Sequence, residues 1–381
     1  MTDSKHNEEI TPSPYKKGKT ANLFSIAIGI VATAIKNFVL YTLLRKSKEN
    51  RDSELYRATL RTLQQQHPQR LAEIESHREQ VAKRSWLVRK IILPMIALIV
   101  GLLTLAGIGI TVLHFILTLK IDLQLLGMLI PVYFWAVMIA AVIIVKTYAD
   151  AYNQYNVRYR QLFIPALAES FGEVRYQQYG YIDLARLKNS VILPDHDLIY
   201  QEDYFSGLHR GCAFELVEAE LYKRDHGRQR NNKRFSGLIL SIDLPVSFNS
   251  TTLVRKNSVL LNVQRKTPMR FKRVHLEDSQ FQKTFTVHST DQILARSWLT
   301  PAVMQRLQQL ANVFNCIDFQ ASLYQDKLLV LLNTSQDFLP PPPIAVPLSD
   351  GAVGYEFVVE VSAMYALIEA LLAQFAHTSQ P

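Results

Sequence analysis

Two long stretches of the chain contain no charged side chain. Residues 91–119 and 123–145 have no Asp, Glu, Lys or Arg, and three residues separate them. A helix that crosses a bilayer needs about 20 consecutive apolar residues, and both stretches exceed that length. The pattern therefore predicts a transmembrane hairpin over residues 91–145, with one helix in each stretch.

The charged residues that flank this hairpin predict its orientation. Basic residues precede it, among them Arg84, Arg89 and Lys90, and others follow it, among them Lys146 and Arg158. Lys and Arg are enriched in the cytoplasmic flanks of membrane helices. We therefore expect a multi-pass protein of the inner membrane with both termini in the cytoplasm.

Small residues indicate how the two apolar helices would pack. Ala97 and Gly101 are four positions apart in the first helix, and Ala136 and Ala140 are four apart in the second. Small residues at this spacing let the backbones of membrane helices approach closely. We predict a helix contact through these four positions.

The first 48 residues precede the helical part of the chain. Residues 1–22 are polar and predict a disordered N-terminal tail. Residues 23–48 are mostly apolar with basic flanks, so they form either an amphipathic helix at the membrane interface, an extra membrane helix or a signal peptide that ends near Ala34. We favour the amphipathic helix, because Lys36 would be costly to bury in the bilayer.

Apolar residues recur at helical spacing on both sides of the hairpin. Residues 49–90 predict a cytoplasmic helical segment with a break near Gln66, because Pro68 interrupts the pattern. Residues 146–172 predict a second cytoplasmic helix with an aromatic stripe. We interpret this stripe as packing rather than as a cofactor site. It consists of Tyr148, Tyr152, Tyr155, Tyr159 and Phe163.

From about residue 173 the pattern becomes typical of strands. Strands are predicted at 212–222 and 235–244, with residues 223–234 as a long solvated loop between them. Thr300 and Pro301 predict the N-cap and the first turn of a helix, because Thr caps helices and Pro fits the first helical position. Further strands are predicted at 259–263, 273–276 and 283–288, a short helix at 291–297, and a hairpin formed by 317–324 and 327–332.

Strands followed by separate helices are typical of an α+β domain with a mainly antiparallel sheet, predicted here over residues 173–335. Residues 336–350 are rich in proline and predict an extended linker. Residues 351–381 predict a C-terminal helix and tail. The predicted fold class is therefore a membrane protein with a two-helix transmembrane hairpin and a cytoplasmic α+β domain.

Charge adds one candidate surface. The chain carries 42 Lys and Arg against 33 Asp and Glu, a net charge of +9 that suits a position beside an anionic membrane leaflet. The loop 223–234 is the most basic stretch, and we predict contact with anionic lipid or, alternatively, a solvated loop that protects the sheet edge. Nucleic acid is disfavoured, since the loop has no aromatic residue for base stacking. The candidate lipid contacts are Lys223, Arg224, Arg228, Arg230, Lys233 and Arg234.

No pattern in the sequence points to catalysis or to a metal. Phosphate-loop, nucleophile-elbow and H-E-x-x-H motifs are absent from it. Residues 195–197, Asp-His-Asp, cannot complete a tetrahedral metal site alone. Cys212 and Cys316 are too few for a disulfide framework, and Glu277 and Asp278 would face opposite sides of a strand. We expect no catalytic, cofactor-binding or metal-binding residue.

A string of short motifs resembles a known family. It contains Phe235-Ser236-Gly237, residues 273–278, Phe285-Thr286-Val287, Leu299-Thr300-Pro301 and residues 304–307. In this order the motifs resemble a bacterial membrane protein family described as domain of unknown function 3137, over roughly residues 70–335. The resemblance implies a bacterial membrane protein without an assigned activity, and it implies no catalytic residue.

Three functions remain open at this point. We favour a membrane-anchored cytoplasmic interaction or regulatory module, whose partners are the lipid bilayer and either another protein or a second copy of the chain. The alternatives are a membrane-associated enzyme with an unrecognised site and a domain that binds anionic lipid. The sequence predicts no cofactor for any of them.

Overall fold

The computed structural model describes residues 54–87, 149–225, 230–257, 267–335, 338–342, 344, 346–348 and 353–378, together with isolated positions between 90 and 146. These residues divide into two compact units. The sheet unit comprises the described residues of 54–66, 164–340 and 353–378. The helical unit comprises those of 67–163 and 341–348.

Seven helices and seven strands have defined bounds. The helices are α1 (Glu54–Gln66), α2 (Pro68–Leu87), α3 (Ile164–Glu169), α4 (Ser279–Thr284), α5 (Gln292–Trp298), α6 (Pro301–Val313) and α7 (Tyr355–Thr378). The strands are β1 (Val174–Gln177), β2 (Leu198–His209), β3 (Cys212–Asp225), β4 (Arg230–Lys256), β5 (Lys272–Val274), β6 (Phe285–Ser289) and β7 (Asp318–Asn333). Residues 149–158 are helical and lead into a π-helical turn at Tyr159–Phe163, and a 3-10 helix spans Leu184–Ser190.

All seven strands form one antiparallel sheet in the order β1-β2-β3-β4-β6-β5, with β7 paired to β4. The first part of β4 pairs with β3 and its last part pairs with β6, while β7 pairs with both parts. The amide of Ile317 donates to the carbonyl of Asn333 across 2.9 Å, so the two ends of β7 meet. The strand therefore doubles back at Gln325, where φ is 51°, as the predicted hairpin requires.

Both faces of the sheet are covered. On the helical face, rings of the strands meet rings of α7: Phe205 and Phe357 have their centroids 5.1 Å apart, and Phe248 and Phe375 are 5.3 Å apart. On the opposite face, which we call the 3-10 face, Leu184 and Leu187 join a buried cluster with side chains of β3, β4 and β7. The predicted α+β architecture with an antiparallel sheet is thus confirmed.

Local capping explains why several predicted helices occur. The hydroxyl of Thr300 accepts from the amide of Val303 at the start of α6, and Pro301 occupies the first helical position. Asp291 caps α5 through the amides of Ile293 and Leu294. The predicted break near Gln66 is confirmed as well, since α1 ends there and α2 begins at the proline.

The prediction of a transmembrane hairpin is wrong. Within the described part of the chain, no helix has the length and the apolar character that a bilayer crossing requires. Long apolar runs without charge were the basis for helices at 91–119 and 123–145. The membrane fold class and the multi-pass location in the inner membrane depended on those helices and are corrected with them. Most of residues 91–145, and all of 1–22 and 23–48, lie outside the described residues.

The predicted loop 223–234 is also wrong in its extent. Residues of β3 and β4 continue to pair as far as Asp225 and Arg230, so only residues 226–229 remain between the strands, and these lie outside the described residues. Polar composition indicated a loop here, but a two-stranded ladder satisfies its own backbone hydrogen bonds whether or not its side chains are apolar.

The helical unit buries the predicted aromatic stripe. Tyr155, Tyr159 and Phe163 are almost completely buried, and the rings of Tyr159 and Phe163 stack with centroids 4.8 Å apart. This confirms the interpretation of the stripe as packing. Tyr148 lies outside the described residues.

The proline-rich segment is bound to α2 within the helical unit. The Nη1 of Arg78 donates to the carbonyl of Ile344 across 2.6 Å, and the amide of Leu348 donates to Glu75 across 3.1 Å. Burial alone would raise the pKa of Glu75, but Arg78 and this amide hold the pKa below its ordinary value. The segment predicted as a linker is therefore held to α2 by hydrogen bonds to Arg78 and Glu75, which form a partly buried ion pair.

Replacement of Gly237 tests the close contact between β4 and β7. Gly237 has φ 148°, and a Cβ atom there would overlap the carbonyl oxygen of Leu332. We expect Gly237→Ala to lower the free energy of unfolding by at least about 2 kcal/mol, measured by urea denaturation. Gly211→Ala is the control, because Gly211 also has a positive φ of 83° but has open space around its Cα. We expect that control to cost about 1 kcal/mol. Equal losses in the two variants would contradict the contact.

Candidate functional site

The basic residues at the end of the β3–β4 hairpin are partly neutralised by nearby carboxylates. The Nζ of Lys223 lies 3.0 Å from Asp195 and 2.9 Å from Asp197, and that of Lys233 lies 2.7 Å from Glu220. The hydrogen bond to Asp197 raises the pKa of Lys223, and the one to Glu220 raises the pKa of Lys233. Both lysines therefore stay charged and already have protein partners.

The remaining predicted lipid contacts are less constrained. The side chains of Arg224 and Arg234 are exposed. Arg228 lies outside the described residues, and the side chain of Arg230 is not described. Contact of this hairpin with an anionic surface stays a prediction, and the carboxylates beside Lys223 and Lys233 weaken its electrostatic basis.

Strand β2 has an open edge beside this hairpin. Strand β1 pairs with β2 only from Tyr204 to Gly207, so among the described strands residues 198–202 pair with β3 alone. A β-bulge at Asp203, where φ is 53°, separates the two parts of β2. Residues 198–202 therefore present backbone donors and acceptors in the direction away from β3.

Large exposed side chains lie on or beside this open edge. Ile199 and Tyr200 belong to this edge. Tyr181 precedes Ile182, whose amide and carbonyl form hydrogen bonds with the side chain of Gln201 in the edge strand. The exposed fractions are 71% for Tyr179, 53% for Tyr181, 39% for Ile199 and 44% for Tyr200. We call these four residues, together with strand residues 198–202, the tyrosine edge.

A side-chain amide occupies part of the tyrosine edge. The Oε1 of Gln201 accepts from the amide of Ile182 across 2.8 Å, and its Nε2 donates to the carbonyl of the same residue across 3.0 Å. Farther along, the carboxylate of Asp197 accepts from the amide of Arg224, so the exposed end of β3 is closed by a side chain too. The exposed edge of β2 differs from the exposed end of β3, because large exposed tyrosine rings lie beside the edge of β2.

A small cleft near the start of α7 contains two glutamates. Glu356 and Glu360 are one helical turn apart and line a cavity of about 40 Å³ with Phe314, Thr334 and Phe338. Burial raises the pKa of Glu360 well above its ordinary range, and the neighbouring Glu356 raises it further. Glu360 is therefore protonated more readily than an ordinary glutamate. The cavity has room for little more than a water molecule, so it does not provide a substrate pocket.

The other candidate groups have structural roles. Asp195 and Asp197 bind Lys223, and His196 contacts the carbonyl of Pro194 across 2.7 Å. Asp278 caps α4 by accepting from the amides of Gln280 and Phe281. Within the described residues, no group of His, Cys, Asp and Glu has the arrangement of a metal site.

Both cysteines are buried free thiols. Burial raises the pKa of Cys212, and it raises the pKa of Cys316 to about 12. A thiol with a raised pKa is a poor nucleophile, because the thiolate is the reactive form.

The predicted helix contact through small residues stays a prediction. Ala97, Ala136 and Ala140 lie outside the described residues. Gly101 is helical, and a Cβ atom added to it would meet nothing within 4 Å.

Sequence reasoning missed the tyrosine edge and the glutamate cleft. Residues 174–209 contain two strands that were not predicted. The sequence therefore did not place the exposed tyrosines of this region at the edge of a sheet. The cleft did leave a signal, because Glu356 and Glu360 stand four apart near the start of a mostly apolar helix.

The raised pKa of Glu360 predicts a pH-dependent stability. A carboxyl whose folded pKa exceeds its unfolded value of 4.5 stabilises the fold fully below that pH and loses this contribution as the pH rises. We expect Glu360→Gln to raise the free energy of unfolding at pH 7 by on the order of 1 kcal/mol, with no gain at pH 4. Urea denaturation at both pH values measures the difference. A variant as stable as the parent at pH 7 would show that Glu360 ionises normally.

The two thiols predict slow alkylation of the native protein. At pH 8 we expect iodoacetamide to modify Cys212 and Cys316 at least about 100-fold more slowly than in the urea-unfolded chain, because both thiols are buried and protonated. Mass spectrometry of quenched samples gives the rates for each cysteine. Rapid modification of either thiol in the folded protein would be inconsistent with its raised pKa.

Comparison with known proteins supplies a family but no activity. Residues 233–372 match a family model with the description "Protein of unknown function (DUF3137)". This match confirms the resemblance, although it begins later than residue 70 and continues beyond 335 through the proline-rich segment into α7. No curated protein matches the chain.

One solved structure is similar over part of the chain. It is the crystal structure of the mycobacterial trehalose monomycolate transport factor A, TtfA, with 14% sequence identity over 56% of this chain and 93% of that chain, and with a TM-score of 0.33. At this TM-score the likeness carries no argument about function. The family match is the firmer finding: residues 233–372 are similar to the DUF3137 family, whose function is unknown.

Proposed function

We propose that this protein is an interaction module that binds an extended, acidic segment of a partner protein along the tyrosine edge. The observation that carries the proposal is the open edge of residues 198–202 in β2, flanked by four large exposed side chains. Addition of a strand to an exposed sheet edge is a recurring way in which proteins bind extended peptides.

Backbone geometry supports a strand as the bound form. The main-chain groups of an edge strand that point away from the sheet are ready to pair with another chain. Among the described residues, the side chain of Gln201 lies at this position and binds the main chain of Ile182. A side chain can rotate away without any change in the sheet, so an incoming strand needs no unfolding of β1 or β2.

The exposed side chains support a protein partner rather than a small molecule. Tyrosine is enriched in protein interfaces, because its ring buries a large area while its hydroxyl keeps a hydrogen bond. Tyr200 also packs edge-on against Tyr222, with the ring centroids 5.7 Å apart, which holds it in place before binding. An ordered aromatic side chain loses little conformational freedom on binding.

Charge supports an acidic segment. The β3–β4 hairpin projects beyond the start of β2, because residues 223–225 pair only with β4 among the described strands. The exposed side chain of Arg224 lies on this projecting part, and the exposed side chain of Arg234 lies at the β-bulge beside it. Since Lys223 and Lys233 already have carboxylate partners, these arginines are the groups that would attract acidic residues of the partner.

The enzyme alternative has less support. Glu356 and Glu360 are the titratable pair whose environment resembles an acid–base site, but their cavity is too small for a substrate. An interaction module needs no such cavity. It needs an accessible surface with rigid aromatic side chains, and the tyrosine edge has both properties.

Photocrosslinking tests the proposed surface. A photoreactive phenylalanine analogue in place of Tyr200, introduced into the full-length chain in the cells that produce it, is expected to form an adduct with a specific protein. Replacement of Ile199 by Asp in the same chain is expected to reduce the adduct at least about tenfold, because an acidic residue on the edge repels an acidic partner.

The matched control carries the same analogue at Ile293, which is 80% exposed on α5. Equal adducts at both positions, or adducts at position 200 that survive the Ile199→Asp change, would contradict the proposal. Adducts only between two copies of the chain would replace it by self-association.

A further inference from the structure

A second surface lies at the opposite end of β4, where two arginines and a histidine share the 3-10 face. His288 in β6 pairs with Leu253 in β4 and with Arg273 in β5. Arg255 follows Leu253 by two positions and therefore points to the same face. Side chains that are directly opposite in neighbouring strands have Cβ atoms about 5 Å apart, and diagonal neighbours remain within reach of a long side chain.

The environment of His288 is unusual. Its Nδ1 atom is shielded from solvent and has no hydrogen-bond partner among the described residues. Buried polar atoms without a partner are rare in folded proteins, and each requires an explanation. Burial lowers the pKa of His288, and the charges of Arg255 and Arg273 lower it further.

The two arginines have different surroundings. Arg255 is only 8% exposed, and its Nη1 donates to the hydroxyl of Thr267 across 2.9 Å. Arg273 is exposed, and among the described residues no carboxylate forms an ion pair with its side chain. The guanidinium of Arg273 can therefore move to meet a ligand, while the guanidinium of Arg255 is fixed by its hydrogen bond to Thr267.

One carboxylate belongs to the same face. Asp318 is buried two positions from Gln320, the residue of β7 that pairs with Arg255. Its charge offsets part of the positive potential near Arg255. Arg273, whose side chain is exposed, remains as the group that an anion would contact first from the solvent side.

We propose that Arg273, His288 and Arg255 form a binding site for a phosphate-type oxyanion. Guanidinium groups match the oxygen atoms of phosphate through paired N–H donors, and an imidazole donates one further hydrogen bond. A bound oxyanion would accept a hydrogen bond from the Nδ1 of His288 and would offset the charges of Arg255 and Arg273. The same chemistry fits free phosphate and a phosphomonoester, and the site is separate from the tyrosine edge.

Inorganic phosphate is the probe that tests this site in the full-length protein. We expect saturable binding by isothermal titration calorimetry and a movement of the His288 ring signals in NMR spectra as phosphate is added. Arg273→Gln is expected to weaken binding at least about tenfold, since a charged hydrogen bond contributes about 1.5–3 kcal/mol. Because Arg273 is exposed, the variant is expected to unfold at the same temperature as the parent in phosphate-free buffer.

Lys272→Gln is the matched control, because it removes the same charge from the adjacent position on the other side of β5. Phosphate affinity should be unchanged in this control. Equal weakening in both variants would indicate nonspecific attraction to a basic surface, and unmoved His288 signals would overturn the proposal. Methyl phosphate distinguishes the two sources: tighter binding than inorganic phosphate assigns the site to a monoester, and weaker binding assigns it to the free ion.

Discussion

The hydrogen bonds along β4 are the interaction on which the sheet unit depends. Its first part pairs with β3, its last part pairs with β6, and β7 pairs with both. The strand passes around the turn of β7, and at Gly237 the two backbones come so close that no side chain fits between them. Loss of this pairing would separate β1–β3 from β5 and β6.

The same strand also relates the two proposed binding surfaces. The basic hairpin lies at the start of β4, and Arg255 lies next to its end. Neither surface uses the helical face of the sheet, which α6 and α7 cover. The DUF3137 match covers most of β4 together with α6 and much of α7, so it includes this covered face and the oxyanion site. The tyrosine edge precedes residue 233 and therefore belongs to a part of the chain outside that match.

Local signals decided which elements could be predicted from sequence. The start of α6 follows from Thr300 and Pro301, and the break between α1 and α2 follows from Pro68, because capping and proline geometry act within a few residues. Strands β1 and β2 were not predicted, since their pairing is determined by partners far away in the chain. The same reason explains the error at residues 223–234, where cross-strand partners continue the ladder through a polar sequence.

The candidate sites were predictable only in composition. The basic residues of the hairpin are evident in the sequence, but their partners Asp195, Asp197 and Glu220 depend on the register of β2 and β3. The pairing of His288 with Arg273 likewise depends on register, because β5 is only three residues long. The transmembrane prediction failed for a related reason: it judged runs of apolar residues without knowledge of what surrounds them.

The glutamine at position 201 has a consequence for how the sheet tolerates change. Its amide group reproduces the donor and acceptor of a backbone peptide unit, so Ile182 is satisfied as though a further strand were present. A leucine at position 201 would preserve the size of the side chain but leave the amide and the carbonyl of Ile182 without these partners. A glutamate would supply an acceptor for the amide but no donor for the carbonyl. The amide at position 201 thus keeps both main-chain groups of Ile182 hydrogen-bonded, and rotation of one side chain is enough to release them.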